Sequence, residues 1–271
     1  DKVLGAYLED VSGGKRLDPL FRNRLVINMV ADQDIGVYAL SQATTTSDAF
    51  LVLPTRVLGQ DYYVLAYNSD GRSNGGAGIS SASTPSQFAV LATADSTVVT
   101  IIPKTATYLN DLNPQTIVLN QGESYLVQAQ ITAQNLRADL SGSHVTSTKP
   151  VAVFAGQQRA TVPVELAEDL TSRDCLIEQV PPVGTWGKNA FLTPYPLPAK
   201  ATTVGKDMYR ILASYDSTQV FIDGNFIGSY LNAGGVYSGE LLKGQTITAS
   251  KPILVAHFKK TSSTNSFGGD S

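Results

Sequence analysis

At 271 residues, with a net charge of −3 and a pI near 5.4, the chain has no basic footprint for nucleic acid or an anionic membrane. No apolar run approaches the roughly 18 residues that cross a bilayer, so no membrane insertion is expected. Cys175 is the only cysteine, which excludes an internal disulfide.

No Asn-x-Ser/Thr sequon occurs, and together with the cysteine count this leans toward a bacterial surface protein that relies on its core. Abundant Gly, Val, Thr, Ser and Tyr suit a β-rich extracellular protein. The chain opens on Asp1 with no charged-then-apolar leader, so any secretory signal is expected to lie outside it.

Residues 1–47 read as a partial leading repeat, because "DQDIGVYAL" (32–40) resembles a closing strand met again later. A full copy opens near Asp48 in "SDAFLVLP" and passes through "LGQDYYVLAY" (58–67). The Gly/Ser-rich stretch 68–85 reads as a mobile loop. Its Asn68, Asp70 and Asn74 are oxygen ligands that Ca²⁺ would accept, but the stretch lacks the alternating acids and final Glu of a calcium loop, so a solvated hairpin is favoured and no cofactor is assigned. "FAVLATADSTVVTI" (88–101) alternates Phe88, Val90 and Ala92 on one face, turns at Asp-Ser-Thr, and resumes with Val99 and Ile101; this predicts a hairpin. "LNQGESY" (119–125) marks a further turn, and "VTSTKPVAVFAG" (145–156) closes the copy, with Lys-Pro at a strand start.

After a connection at 157–173 the same blocks return in the same order. "RDCLIEQVPP" opens at Asp174, "WGKNAFLTPY" (186–195) matches 58–67, and "YRILASYDSTQVFI" (209–222) matches 88–101. "LNAGGVY" (231–237) and "ITASKPILVAHF" (247–258) complete the series, and Lys149 and Lys251 each follow a glycine by seven positions. Four ordered blocks indicate a duplicated unit. The expected architecture is all-β: duplicated antiparallel β units, sandwich-like or propeller-like, packed together. Their spans are 48–156 and 174–260, and 261–271 reads as a flexible tail whose "GGDS" resembles the opening of another copy.

Quoted together, "LPTRVLGQDYYVLAY", "SQFAVLATADSTVVTI", "ADLSGSHVTSTKPVAVFAG" and "CLIEQVPPVGTWGKNAFLTPY" resemble the amino-terminal domain of the IgG Fc-binding protein family over roughly residues 45–260. The chain lacks the extra cysteines of animal members, so the resemblance implies a bacterial-type member. It implies a secreted or cell-surface, non-enzymatic module for binding or adhesion, joined to other domains of the same longer chain. The implied partner is an extracellular protein or glycan. No ligand-contact residues come with the resemblance.

The residues themselves offer little chemistry. There is no G-x-S-x-G, no H-E-x-x-H and no Cys/His cluster, and neither His144 nor His257 recurs at the matching position of the other copy. Cys175 opens a strand and reads as a small buried residue. Trp186 could stack on a sugar, with a core or corner aromatic as the plainer reading. Lys149 and Lys251 read as edge lysines that discourage aggregation. The copies differ most in two stretches of the first, 103–115 and 130–140, where Tyr108 and Arg137 are candidate ligand contacts. The readings carried forward are an adhesive or ligand-binding module, a passive spacer that presents other domains, and an enzyme with an unrecognised site.

Overall fold

The computed structural model describes residues 26–43, 46–76, 78–109, 111–166, 173–195 and 207–261; most of the leading copy and the 262–271 end of the tail lie outside the described residues. The elements are strands and three single-turn 3-10 segments, with no α-helix among the described residues. A short pair, β1 (Tyr38–Ala43) and β2 (Thr46–Leu51), comes first. The first unit contains β3 (Gly59–Tyr63), β4 (Ser86–Ala92), β5 (Thr97–Ile102), β6 (Gln115–Leu119), β7 (Ser124–Gln128) and β8 (His144–Ala160). After β9 (Asp174–Val180), the second contains β10 (Gly187–Leu192), β11 (Asp207–Ala213), β12 (Val220–Ile222), β13 (Asn225–Phe226), β14 (Val236–Leu241) and β15 (Gln245–Phe258).

Both sheets are antiparallel and share one order, β6-β5-β8-β4-β7 in the first and β13-β12-β15-β11-β14 in the second. One curls nearly into a closed barrel and the other into a half-barrel. The closing strands, β8 and β15, are the spines. β4 and β5 follow each other along one edge of β8, β3 and β9 along the opposite edge. β11, β12 and β10 hold the matching places on β15.

The alternation read in the sequence sets the cores. Phe88, Val90, Ala92, Val99 and Ile101 are buried with Val145, Val151 and Val153 inside the first sheet. Tyr209, Ile211, Ala213 and Val220 fill the second with Ile247 and Ile253. Burying each of the larger side chains contributes about 1.5–3 kcal/mol.

The Asp-Ser-Thr turn does not close a hairpin. β4 and β5 both run antiparallel to β8 and do not pair with each other, so the turn loops out of one edge and returns to it. Nor does Lys-Pro start a strand. It sits inside β8 and β15, opposite that loop, where Pro150 and Pro252 need no N–H for a ladder. On the other edge the register of β3 and of β10 shifts at the same place, a bulge in each copy.

These pieces build one corner twice. Lys149 Nζ donates to the carbonyl of Asp95 and Lys251 Nζ to that of Asp216, at 2.5 and 2.6 Å. The lysines therefore fasten the turn rather than guard an edge. The Asp95 carboxylate accepts from the Gln121 N–H and that of Asp216 from the Ala233 N–H. Asn120 and Asn232 accept from the N–H of Ser96 and Ser217, which adopt left-handed φ of 52° and 54°. Three of the repeated blocks together encode this corner.

Because the corners match bond for bond, Asp95→Ala and Asp216→Ala are expected to destabilise by similar amounts, about 1 kcal/mol each. Urea unfolding of the two variants checks this, with losses that differ by more than twofold counting against equivalent corners.

Candidate functional site

The two stretches that lengthen the first copy meet as one cap. The Gln130 N–H donates to the Ala106 carbonyl, Thr107 bridges Ala129, and the Tyr108 hydroxyl accepts from the Ile131 N–H at 3.3 Å. The 68–85 stretch joins them. Gly71 N–H bonds to Leu136 O and Ser69 N–H to Ala138 O, while Arg137 Nη1 donates back to the Gly71 carbonyl. The stretch is not a mobile loop at its base, where Ser69 and Asp70 are fully buried and Asp70 and Thr84 bond reciprocally. Tyr108 and Arg137 are half-buried fasteners of the cap. Its exposed residues are Asp111 to Pro114, including Leu112 at 57 % exposure, and Ala133 to Asn135.

The calcium candidates do not converge. Asp70 pairs with Arg72 at 3.0 Å, lies 3.8 Å from Arg173 and accepts from the Thr161 hydroxyl. Asn68 spans Arg210 and the Arg137 carbonyl, and Asn74 is exposed at the hairpin tip. Among the described residues no group of three or more His, Cys, Asp or Glu could share a metal ion. Desolvation lowers the Arg173 pKa, with Asp70 opposing and Arg72 and Arg159 adding to the shift.

The base of the cap is also the joint between the units. Arg210, on β11, crosses to the first unit, where it donates to Asp139 at 2.9 Å, to the Ser141 hydroxyl, to the Ala66 carbonyl and to Asn68, and lies over the Tyr67 ring at 4.5 Å. Sequence reasoning missed it because Arg210 occupies an outward position of an alternating strand; only its neighbour across the joint makes that position buried. Beside it Trp186 is 9 % exposed and donates to the Pro181 carbonyl, packed with Leu65, Val183 and Leu212. Gly142 and Gly234, at φ of 89° and 72°, bring the two backbones together where a Cβ on either would strike the other.

A groove of about 680 Å³ opens beside this joint, between β15, β9 and β2. Cys175 lines it, with a thiol raised above its usual pKa chiefly by burial, which keeps it protonated. Glu178, also on the wall, is pushed up to about 7, chiefly by desolvation. His257 meets Asp207 at 3.2 Å and stacks on Tyr195, while the other histidine, His144, meets Asp61 at 2.7 Å and stacks on Tyr63. Both histidines thus have a carboxylate partner. With Cys175 held as the thiol, the groove lacks an activated sulfur nucleophile.

Among the described residues no helix is long and apolar enough to cross a membrane. The family model described as IgGFc binding protein matches residues 48–271. The human protein named IgGFc-binding protein is 29 % identical over 224 residues, which is 82 % of this chain and 4 % of that protein. No solved structure matches. The relative is human, so the lean toward a bacterial source gains nothing from the comparisons.

Arg210→Met is expected to destabilise by about 3 kcal/mol, because it strands Asp139 and Asn68 at the joint. Arg210→Lys should recover little, since an ammonium cannot replace the planar fork. Thermal unfolding of the three proteins checks both; a lysine variant as stable as the parent would contradict the joint described.

Proposed function

The chain belongs to the IgGFc-binding protein family, and from that membership we propose that it is an extracellular binding module of a longer secreted or cell-surface protein, acting in adhesion to a protein or glycan ligand. The observation that carries the reading is the cap. The second unit folds without these added stretches, so the outer residues of the cap are not needed to build a unit of this kind. Its inner side holds Arg210, while its outer side leaves Leu112 and its neighbours open to a partner. In this reading Tyr108 and Arg137 position the ligand face from beneath. The relative's name makes the Fc region of IgG the first ligand to try.

A second reading, a spacer presenting other domains, has its own support. β9, which follows the connection between the copies, is built into the first sheet, and this suits a rigid rod of units. The chain spans 4 % of its relative's length, which leaves ample room for such domains.

The test is to probe the whole chain against IgG Fc and against arrays of extracellular glycoproteins and glycans. The reading expects at least one binder, weakened tenfold or more by Leu112→Asp and by shortening 103–115 and 130–140 to the second copy's lengths. Unchanged binding by folded variants would move the site off the cap, and no binder in any arm would favour the spacer.

A further inference from the structure

The two sheets match strand for strand except at one place. In the first sheet the edge of β8 that carries β3 also carries β9, which pairs with Val153–Gln157 and Ala160. On β15 the same edge carries β10 as far as Ile253, and among the described residues no strand pairs beyond it. The open stretch, Leu254–Phe258, is the counterpart of Ala152–Gly156.

Backbone alternation shows which groups are left. Ala213 N–H bonds to Gly235 O, so odd-numbered residues of β11 face β14 and even-numbered ones face β15. β11 therefore uses Leu254, Ala256 and Phe258. The N–H and C=O of Val255 and His257 point to the open edge, just as those of Val153 and Ala155 point to β9. No lysine or proline, two of the usual guards against edge pairing, interrupts Leu254–Phe258. It forms one wall of the 680 Å³ groove, which is lined mainly by apolar side chains such as Leu176, Leu254 and Phe258.

The molecule shows twice what belongs on such an edge. β9, which opens the second copy, pairs antiparallel with the closing strand of the first. β2, which opens the first copy, pairs antiparallel with β1, a strand of the leading copy. Asp174 begins β9, and Asp48 is the third residue of β2.

We propose that the open edge of β15 is an acceptor for the opening strand of a following unit of the same kind, in the same longer protein. That strand would add antiparallel beside Leu254–Phe258, bond to the main chain of Val255 and His257, and bury its apolar side chains in the groove. This is strand addition used as a link between units, with pairing supplied by the backbone and register by an Asp-led alternating pattern. It goes beyond the binding reading, and its test uses no ligand.

The experiment adds a copy of Cys175–Pro182 directly after Asp270 of the intact chain and follows residue-resolved amide exchange. The control carries the same graft with Glu178→Pro and Val180→Pro in the added copy, which removes the two N–H groups that would face His257 and Val255, as those of Glu178 and Val180 face Ala155 and Val153. Val255 and His257 amides are expected to exchange at least tenfold more slowly in the grafted chain than in the parent or the proline control, with other amides of β15 little changed. Equal exchange in all three chains would overturn the proposal. So would slow exchange already present in the parent, because the edge would then be covered by the chain itself.

Discussion

β8 is hydrogen-bonded along both edges, and the layout of the first sheet and its link to the second unit depend on that double pairing. A strand used on both sides cannot shift register without breaking β3, β4, β5 and β9 together. Its middle has to pass the point where β4 gives way to β5 on one edge and where β3 bulges on the other. Lys-Pro occupies that point. The proline gives up an N–H where none is needed, and the lysine reaches out to fasten the Asp-Ser-Thr turn. The second copy solves the same problem with the same residues in β15.

Double pairing also sets how one unit meets the next. The first sheet is completed by a strand that lies beyond the connection, so the units share a sheet before they share a surface. Around that strand the joint is closed by close packing and by a buried cation. Two glycines meet backbone to backbone, Trp186 fills the space between Leu65 and Leu212, and Arg210 satisfies four acceptors in the first unit. These contacts fix the base of the cap against the second unit.

Much of this was legible in the residues. Alternation placed Phe88, Val90, Tyr209 and Ile211 in the cores, and block order gave two antiparallel units. The errors were ones of partnership. Asp-Ser-Thr between two apolar runs reads as a hairpin, but whether a turn reverses a strand or only interrupts it depends on the third strand beside it. Lys-Pro reads as a strand start because proline breaks ladders, and only the gap between β5 and β4 makes it tolerable mid-strand. A Gly/Ser-rich composition suggested a mobile 68–85 loop, yet one buried carboxylate, Asp70, draws Arg72 and Thr161 around its base. Tyr108 and Arg137 lie in the added stretches as the lengths implied, but they turn toward the cap's own backbone, and Leu112 faces outward. Arg210 left no signal, because a long-range acceptor set has no local pattern.

The central claim is that β9 makes the two units one cooperative fold. Amide exchange measured across a series of denaturant concentrations tests this most directly, by comparing the opening free energies of β4, β9 and β11. One fold predicts that the slowest amides of all three merge into a single unfolding isotherm with a common slope. If β11 and β15 open at a distinctly lower free energy while β4, β8 and β9 stay protected, the units fold independently and the claim is wrong.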